Sequence, residues 1–510
     1  MMPAVGHTLD QLTAGMMTVP PGIELTDITL DSRSVSPGAL FLACGGRSTH
    51  GLRYARQAIE RGARAILFDT AAPGAELAAA LTAAGAGDNS GIFIAGLEHL
   101  EHHTGILADR FFEQPSQALT VAGITGTNGK TTCAWLLAQA LRELGRPAGY
   151  MGTLGYGLPP TVTPTGYTTP DVISVHRQLS ELRELGAECV CMEVTSHAID
   201  QERVAAVRFN TAAFTNLTRD HLDYHGTMEA YGAAKARLLQ WPTLRYRIVN
   251  VDDAFGRQLA AQAAPGRLIT TCRATAPSTT LPMAQFVRAV RVQAEPTGLA
   301  LQIESSWGSA ALDAPLVGDF NADNILTVLA VLLAWDTPLA QAATALASCR
   351  APSGRMELFG GTGSRPLAVV DFAHTPDGLQ KALRAARAHC RGRLRVVFGC
   401  GGDRDVGKRP LMGSLAVELA DEVILTDDNP RTEDPARIVR DIVAGVPKDA
   451  TVVIEHDRAR AIQLALRDSG PGDVVLVAGK GHEDYQIYGT TRRQFSDQQV
   501  IAAQLQRVAP

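Results

Sequence analysis

At 510 residues, the chain is long enough for two to four domains of roughly 100–200 residues each. Its 45% hydrophobic and 19% charged residues are ordinary for a globular protein, and a formal net charge of −5 supplies no basic excess for nucleic acid. No run of about 18 apolar residues offers a membrane span, and the opening MMPAVGHTLDQL lacks the basic-then-apolar order of a signal peptide.

The first stretch, residues 1–115, mixes short strands with Ala-rich helices: DITLDSRSVSPGALFLAC, RYARQAIERGA, then RAILF. The biased segment AAPGAELAAALTAAGAGDNSG reads as a helix followed by a loose loop, and FFEQPSQ reads as a linker. Residues 116–350 open with an apolar strand, Leu119–Ile124, a Gly-rich turn and a helix, Thr131–Leu144, that stops at Gly145. The strands ECVCMEV, FNTAAFTNL and RYRIVNVDD follow, and ALQIES with its neighbours reads as an added β patch. Cys189 and Cys191 are read as small core residues of a buried strand, because no second Cys/His pair has metal spacing. The longest apolar helix candidate, Ile325–Trp335, is too short to span a bilayer. Residues 351–510 repeat the theme: RVVFGCGGDRD, EVILTDDNPR and DVVLVAGKGHED are each an apolar strand leading into a polar loop.

Strand–helix alternation of this kind predicts an α/β protein with mainly parallel sheets and right-handed crossovers. Three domains are expected: a smaller α/β N-terminal domain, a central P-loop-like ATPase domain and a Rossmann-like C-terminal domain. Ligands of such sheets gather at the carboxyl ends of the strands, which is where the polar loops fall.

The clearest of these loops is Gly126-Thr127-Asn128-Gly129-Lys130-Thr131-Thr132, between a strand and a helix. Its glycines allow a tight turn that aims N–H groups at phosphate oxygens, and the helix N-terminus favours anions. Lys130 is placed for the β/γ-phosphates of ATP and Thr131 for Mg²⁺. The usual spacing would put Gly at position 124, where this chain has Ile124. Glu193 ends one apolar strand and His221 follows another, so both are candidate Mg²⁺ ligands. A dehydrogenase is disfavoured, because no G-x-G-x-x-G opens a helix with an acid about 20 residues on.

The loop GTNGKTT resembles that of the Mur ligases and of their relatives, the folylpolyglutamate and cyanophycin synthetases. The resemblance to the Mur ligases covers essentially the whole chain. It implies an ATP- and Mg²⁺-dependent amide-bond ligase of cytoplasmic peptidoglycan synthesis, expected to be a monomer. Residues 1–115 would bind a UDP-substrate, 116–350 ATP and 351–510 an amino acid. The pattern from Tyr231 to Lys235 implies that Lys235 is carbamylated and ligates the metal. GDFNADN supplies Asn321 and Asn324 for adenine, SGRME supplies Arg355 for phosphate, and DFAHTPD supplies Asp371 for ribose. Position 319 is Asp where a basic residue is common, and position 372 is Phe where Tyr is common.

Further resemblance points to the branch that extends UDP-N-acetylmuramoyl-L-Ala-D-Glu. TLDSR implies Ser32 at the uracil, and YTTPD implies Thr168 and Thr169 at the muramoyl dipeptide. TSHAIDQERV adds Thr195, in place of the usual Ser, with Gln201 and Arg203. In the loop GGRSTHG, His50 stands where Asp is usual. The tetrad Asp428-Asn429-Pro430-Arg431 is similar to the one found in meso-diaminopimelate-adding members. Diaminopimelate is lysine with one more carboxylate, and a second carboxylate in a closed pocket needs a cationic partner. Arg431 and Arg404 would take that role, with Glu483 accepting an ammonium and Gly479 lending backbone. Three other readings stay open: a lysine-adding form, a relative with another acceptor, and a nucleotide-binding protein without catalysis.

Overall fold

The computed structural model describes residues 7–46, 49–71, 73–83, 91–273 and 284–507. Three sheets organise them, each flanked by helices. In the first, Ile28–Thr29, Leu40–Ala43, Ala65–Asp69 and Phe93–Leu97 pair in parallel, in that order. The second has ten strands, with Thr120–Thr125 between Cys189–Glu193 and Phe209–Phe214. The third has six strands, and Val474–Ala478 lies between Leu367–Asp371 and Leu394–Phe398. The alternation read from the sequence is thus realised as mainly parallel α/β sheets.

The central strands read as unbroken apolar runs because both faces of the sheet are covered. Cys189 and Cys191 pack with Ala122 and Ile124 on one face, while Val190 and Met192 pack with Val121 on the other. The expected small-residue role of the cysteines holds. The helix Phe320–Ala334 is buried along nearly its whole length and lies against the helix Lys130–Glu143. It is apolar on all sides because it is enclosed on all sides. Among the described residues no helix is long and apolar enough to cross a membrane. The added β patch is an antiparallel extension, Gln285–Glu295, Gly298–Ser305 and Gly308–Ala314, on one edge of the central sheet.

FFEQPSQ is more ordered than a linker. Glu113 and Gln114 turn the chain at positive φ into a one-turn helix, Pro115–Ala118. Arg183 donates to Glu113 O, and Arg208 N donates to Ser116 Oγ. Of the Ala-rich segment, Gly74–Ala83 is helical, and residues 84–90, where the loose loop was expected, lie outside the described residues.

Specific contacts seat the sheets on one another. Arg177 reaches from the central unit to Asp27 Oδ1 at 2.8 Å. At the other junction Gly318 N donates to His389 Nε2 at 3.1 Å, so the ring proton sits on Nδ1 and is donated to Glu295 O at 2.6 Å. Within the third unit, Arg458 and Asp497 form a fully buried two-pronged ion pair, with both contacts at 2.7 Å. Arg458 also donates to Ala478 O at the end of a central strand. Removing one partner of such a pair strands the other charge, so Asp497→Ala is expected to cost about 3–5 kcal/mol of stability, read from urea unfolding.

Candidate active site

The strand Thr120–Thr125, the Gly-rich turn and the helix Lys130–Glu143 bring the phosphate-loop residues to the carboxyl edge of the central sheet. Gly126 has φ +144° and Gly129 has φ +88°. A side chain at Gly126 would also collide with Thr215 Oγ1, and one at Gly129 with Asn324 Oδ1. The loop is stitched to the next strand end: Thr127 N donates to Asn216 O at 2.8 Å, Asn128 N to Asn216 Oδ1 at 3.0 Å, and Thr215 Oγ1 to Asn128 O at 2.6 Å. Lys130 Nζ donates to Gly126 O at 3.0 Å and Thr127 O at 2.9 Å. Desolvation holds its amine below the ordinary lysine value; Arg355 acts in the same direction, and Glu193 and Asp220 oppose it. The charge of Arg355 thus acts on the loop although the residue belongs to the start of the third unit. Its guanidinium lies over the Phe372 ring at 5.0 Å, and its Nε is buried with no partner among the described residues.

Asn321, Asn324 and Asp371 are nearby but already engaged. Asn324 Nδ2 donates to Asn321 Oδ1 at 2.8 Å, and Asn321 Nδ2 donates to Val317 O at 2.7 Å. Asp371 accepts from Met356 N and Ala373 N, both at 2.9 Å, and desolvation raises its carboxyl.

Glu193 is fully buried and heavily solvated by protein. Its Oε1 accepts from Tyr150 OH at 2.6 Å and Thr153 N at 2.8 Å; its Oε2 accepts from Thr131 Oγ1 at 2.8 Å and Thr153 Oγ1 at 3.3 Å. From here a line of contacts leads away from the nucleotide loop. Thr153 Oγ1 lies 3.0 Å from Thr168 Oγ1, and Thr169 Oγ1 donates to Glu193 O at 2.9 Å. Arg203 donates to Thr169 O at 2.9 Å and to Gln201 Oε1 at 2.6 Å. Thr195 caps the following helix by accepting from Ala198 N. Three separated sequence segments thus converge beside the phosphate loop. Tyr150 and Thr153 were not singled out from the sequence. The one local signal was Gly152, where a side chain would collide with Glu193 Oε1.

Lys235 is buried with its Nζ 2.8 Å from Gly126 O and 4.4 Å from the centre of the Tyr231 ring. Desolvation, with the charge of Lys130 adding to it, brings its pKa down to about 6. The amine is therefore neutral at pH 7, and both lysines share the Gly126 carbonyl. Of the expected metal set, Thr131 and Glu193 are in contact, and His221 lies on the loop beyond, with its ring 6.1 Å from that of Tyr231. It is half-exposed at φ +52°, 3.4 Å from Asp220, with its ring 4.8 Å from that of His197. Among the described residues no group of three His, Cys, Asp or Glu side chains is spaced as a ready-made cage. The adjacent Thr131 hydroxyl and Glu193 carboxylate are nonetheless hard oxygen donors of the kind Mg²⁺ takes.

Two loops at the edge of the third sheet make a second cluster. Asn429 Nδ2 donates to Glu483 Oε2 at 2.8 Å, and Lys480 Nζ reaches both Asn429 Oδ1 and Glu483 Oε2 at 3.2 Å. Burial raises the neighbouring Asp428 carboxyl, and Gly479, at φ +114°, lies against its Oδ2. Arg431 is held at φ +52° by its own main chain: its N donates to Ile487 O at 2.9 Å and its O accepts from Gly489 N at 2.6 Å. Its Nη1 donates to Gly402 O at 2.7 Å, which sets the guanidinium beside the loop that carries the exposed Arg404. Pro430 is buried. Lys480 was missed because a lysine in a Gly-rich loop carries no sign of burial.

Ser32 is buried in the first unit, and its Oγ donates to Gln57 Oε1 at 2.7 Å. Among the described residues no hydrogen bond joins it to the other clusters. His50 is structural: Nδ1 accepts from Leu52 N, so Nε2 carries the proton, donated to Asp69 O at 3.1 Å. Arg47 and Ser48 of the same loop lie outside the described residues.

Three family models match the chain: the Mur ligase family catalytic domain over residues 24–88, the Mur ligase middle domain over 124–332 and the Mur ligase glutamate ligase domain over 354–481. The chain is 46% identical over 476 residues to a protein of Ectopseudomonas mendocina (strain ymp) named UDP-N-acetylmuramoyl-L-alanyl-D-glutamate–2,6-diaminopimelate ligase, covering 93% of this chain and 94% of that one. It is 46% identical over 485 residues to a protein of the same name from Xanthomonas campestris pv. campestris (strain 8004), covering 95% and 94%. A solved structure of a ligase of that name superposes with a TM-score of 0.73 at 31% identity, covering 98% of this chain and 99% of the other. MurF from Acinetobacter baumannii shares the fold, with a TM-score of 0.61 at 18% identity over 94% of this chain and 96% of that one.

Proposed function

The chain belongs to the Mur ligase family, and on that premise we propose that it joins meso-2,6-diaminopimelate to the D-glutamyl γ-carboxylate of UDP-N-acetylmuramoyl-L-Ala-D-Glu, converting ATP to ADP and phosphate. The observation that carries the reading is the 46% identity, over 93% of the chain, to a ligase of that name. The diaminopimelate-type tetrad Asp428–Arg431 and its contacts with Glu483 and Lys480 support it. The reaction is cytoplasmic, and residues 1–115, 116–350 and 351–510 serve the UDP-substrate, ATP and the amino acid respectively. Ser32 contacts the uracil end.

The phosphate loop, Gly126 to Thr132, cradles the ATP phosphates; Asn321 and Asn324 face the adenine, and Asp371 faces the ribose. Lys130 leaves its backbone acceptors for the β/γ-phosphates, and Arg355 approaches from the third unit with its unpartnered Nε. Thr168, Thr169, Thr195, Gln201 and Arg203 hold the muramoyl dipeptide so that its carboxylate points at the γ-phosphate. The carboxylate oxygen bonds to that phosphorus, the bond to the β-phosphate oxygen breaks, and an acyl phosphate and ADP result. The amine presented by Arg404, Asp428–Arg431, Gly479 and Glu483 then attacks the acyl carbon, phosphate leaves with the electron pair of the broken C–O bond, and the nitrogen gives up a proton to solvent. Catalysis is mainly positioning and charge neutralisation. Thr131, Glu193, His221 and carbamylated Lys235 would hold Mg²⁺, which when bound offsets phosphate charge. Closure of the third unit on the second is required, because the two clusters lie on different sheets.

The first experiment is phosphate release from ATP with Mg²⁺ and the UDP-dipeptide, in parallel with meso-diaminopimelate and L-lysine. Release with diaminopimelate alone is expected. Release with lysine alone would keep the ligase and overturn its specificity, and release with neither would overturn the reading.

Carbamylation makes a separate prediction. A neutral amine adds CO₂ and loses a proton, giving an N-carboxylate. With its pKa brought down to about 6, the Lys235 amine is available above that pH and protonated below it. A ¹³CO₂-derived carbamate resonance should therefore appear above pH about 6, fade below it and be absent in Lys235→Arg. Its persistence in the variant would exclude this lysine as the site.

A further inference from the structure

Lys480 is one of the largest fully buried side chains in the molecule, and it lies outside the roles assigned above. Its Nζ lies 3.2 Å from Glu483 Oε2, 3.2 Å from Asn429 Oδ1 and 4.0 Å from Asp428 Oδ1. The Tyr485 ring centre is 5.4 Å away. The other buried cation here, Arg458, is already matched by both oxygens of Asp497. The charges of Arg458 and Lys480 both act on Asp428, and Lys480 is in direct contact with Glu483. The Asn429 carboxamide is also spent on this contact: Oδ1 accepts from Lys480 and from Ile487 N, and Nδ2 donates to Glu483 Oε2. Glu483 Oε2 is thus held by two donors, while among the described residues Oε1 has only the long Tyr485 hydroxyl contact at 3.3 Å.

We infer that Lys480 is a positioning residue for the amino-acid substrate: its buried ammonium ties the 427–431 loop to the 479–486 loop and turns Glu483 so that Oε1 faces the incoming substrate ammonium. The inference rests on the proposed amino-acid-binding role of this cluster. The arithmetic of charge fits a cationic guest. Three carboxylates, Asp428, Glu483 and Asp497, against two cations, Arg458 and Lys480, leave room for one more positive group, and the substrate ammonium supplies it. Without Lys480, Glu483 loses its direct counter-ion, and the clamp between the loops loses its centre.

The test uses the full-length protein and a double-mutant cycle of Lys480→Met and Glu483→Gln, with phosphate release followed against each of the three substrates. Lys480→Met is expected to raise KM for meso-diaminopimelate about 10- to 100-fold, the equivalent of losing a charged hydrogen bond. KM for ATP and for the UDP-dipeptide should stay unchanged. Because Lys480 acts through Glu483, the double variant should be no worse than Glu483→Gln alone. Additive losses, or equal losses for all three substrates, would overturn the inference. Lys480→Gln, which keeps a donor without the charge, is the milder second variant, and an unchanged diaminopimelate KM in a Lys480→Gln protein that binds ATP would also overturn it. If the wild type turns over with a different amino acid, the proposed substrate fails, and the same cycle run with that amino acid still decides the role of Lys480.

Discussion

Lys130→Ala is expected to abolish ligase turnover, lowering kcat by about 10³-fold or more, the scale on which a single cation matters in phosphoryl transfer. The structure explains why no neighbour replaces it. Lys235 shares the Gly126 carbonyl with Lys130, but its pKa of about 6 leaves it uncharged at neutral pH. Arg355 belongs to the third unit, so its approach depends on how the units close. The fold should survive the substitution. Lys130 is held in a desolvated position that lowers its amine pKa, and its two hydrogen bonds go to loop carbonyls rather than to a carboxylate. Phosphate release and a thermal melt, run on the same preparation, separate the two effects. Normal turnover in a folded variant would remove the loop from the mechanism. A melt lowered together with turnover would point to a structural lysine.

Arg431→Ala is the second large effect. The kcat/KM for meso-diaminopimelate should fall by about 10²-fold or more, the cost of stranding a carboxylate in a closed pocket. Activity with L-lysine, which has no distal carboxylate, should change little. The argument is geometric. The Arg431 main chain is fixed at φ +52° by Ile487 O on one side and Gly489 N on the other. Among the described residues its guanidinium has a single acceptor, Gly402 O, so the remaining donors of a planar fork are left for a ligand. Arg431→Lys keeps the charge but not the fork, and it should recover only part of the loss. An unchanged ratio of diaminopimelate to lysine turnover in Arg431→Ala would refute the assignment.

These expectations were legible in the sequence to different depths. The phosphate loop is a local object. Its glycines, lysine and threonines lie within seven residues, and the strand before and helix after them follow from local pattern. The parallel α/β class also followed from alternation, since a strand–helix–strand chain has one common way to close. His50 illustrates the opposite case. As a letter it is a departure in a binding segment; in the fold its ring bridges Leu52 N and Asp69 O, a structural role that needs residue 69 in place.

The sequence by itself thus determined the order of strands and helices, the phosphate loop and the residue types able to carry charge. It did so because backbone turns, helix termini and apolar periodicity act over a few neighbours. Tertiary structure decided which of those charges meet. Thr131 comes from the start of a helix, Tyr150 and Thr153 from a strand and the turn after it, and Glu193 from the end of another strand, while Asn429 meets Lys480 and Glu483 from two loops about 50 residues apart. Burial set their chemistry: the same amine is a solvated cation on a helix surface and a neutral nucleophile at position 235, because desolvation acts on the charged form alone. No local pattern encodes that difference, since it arises from what the rest of the chain places around the residue.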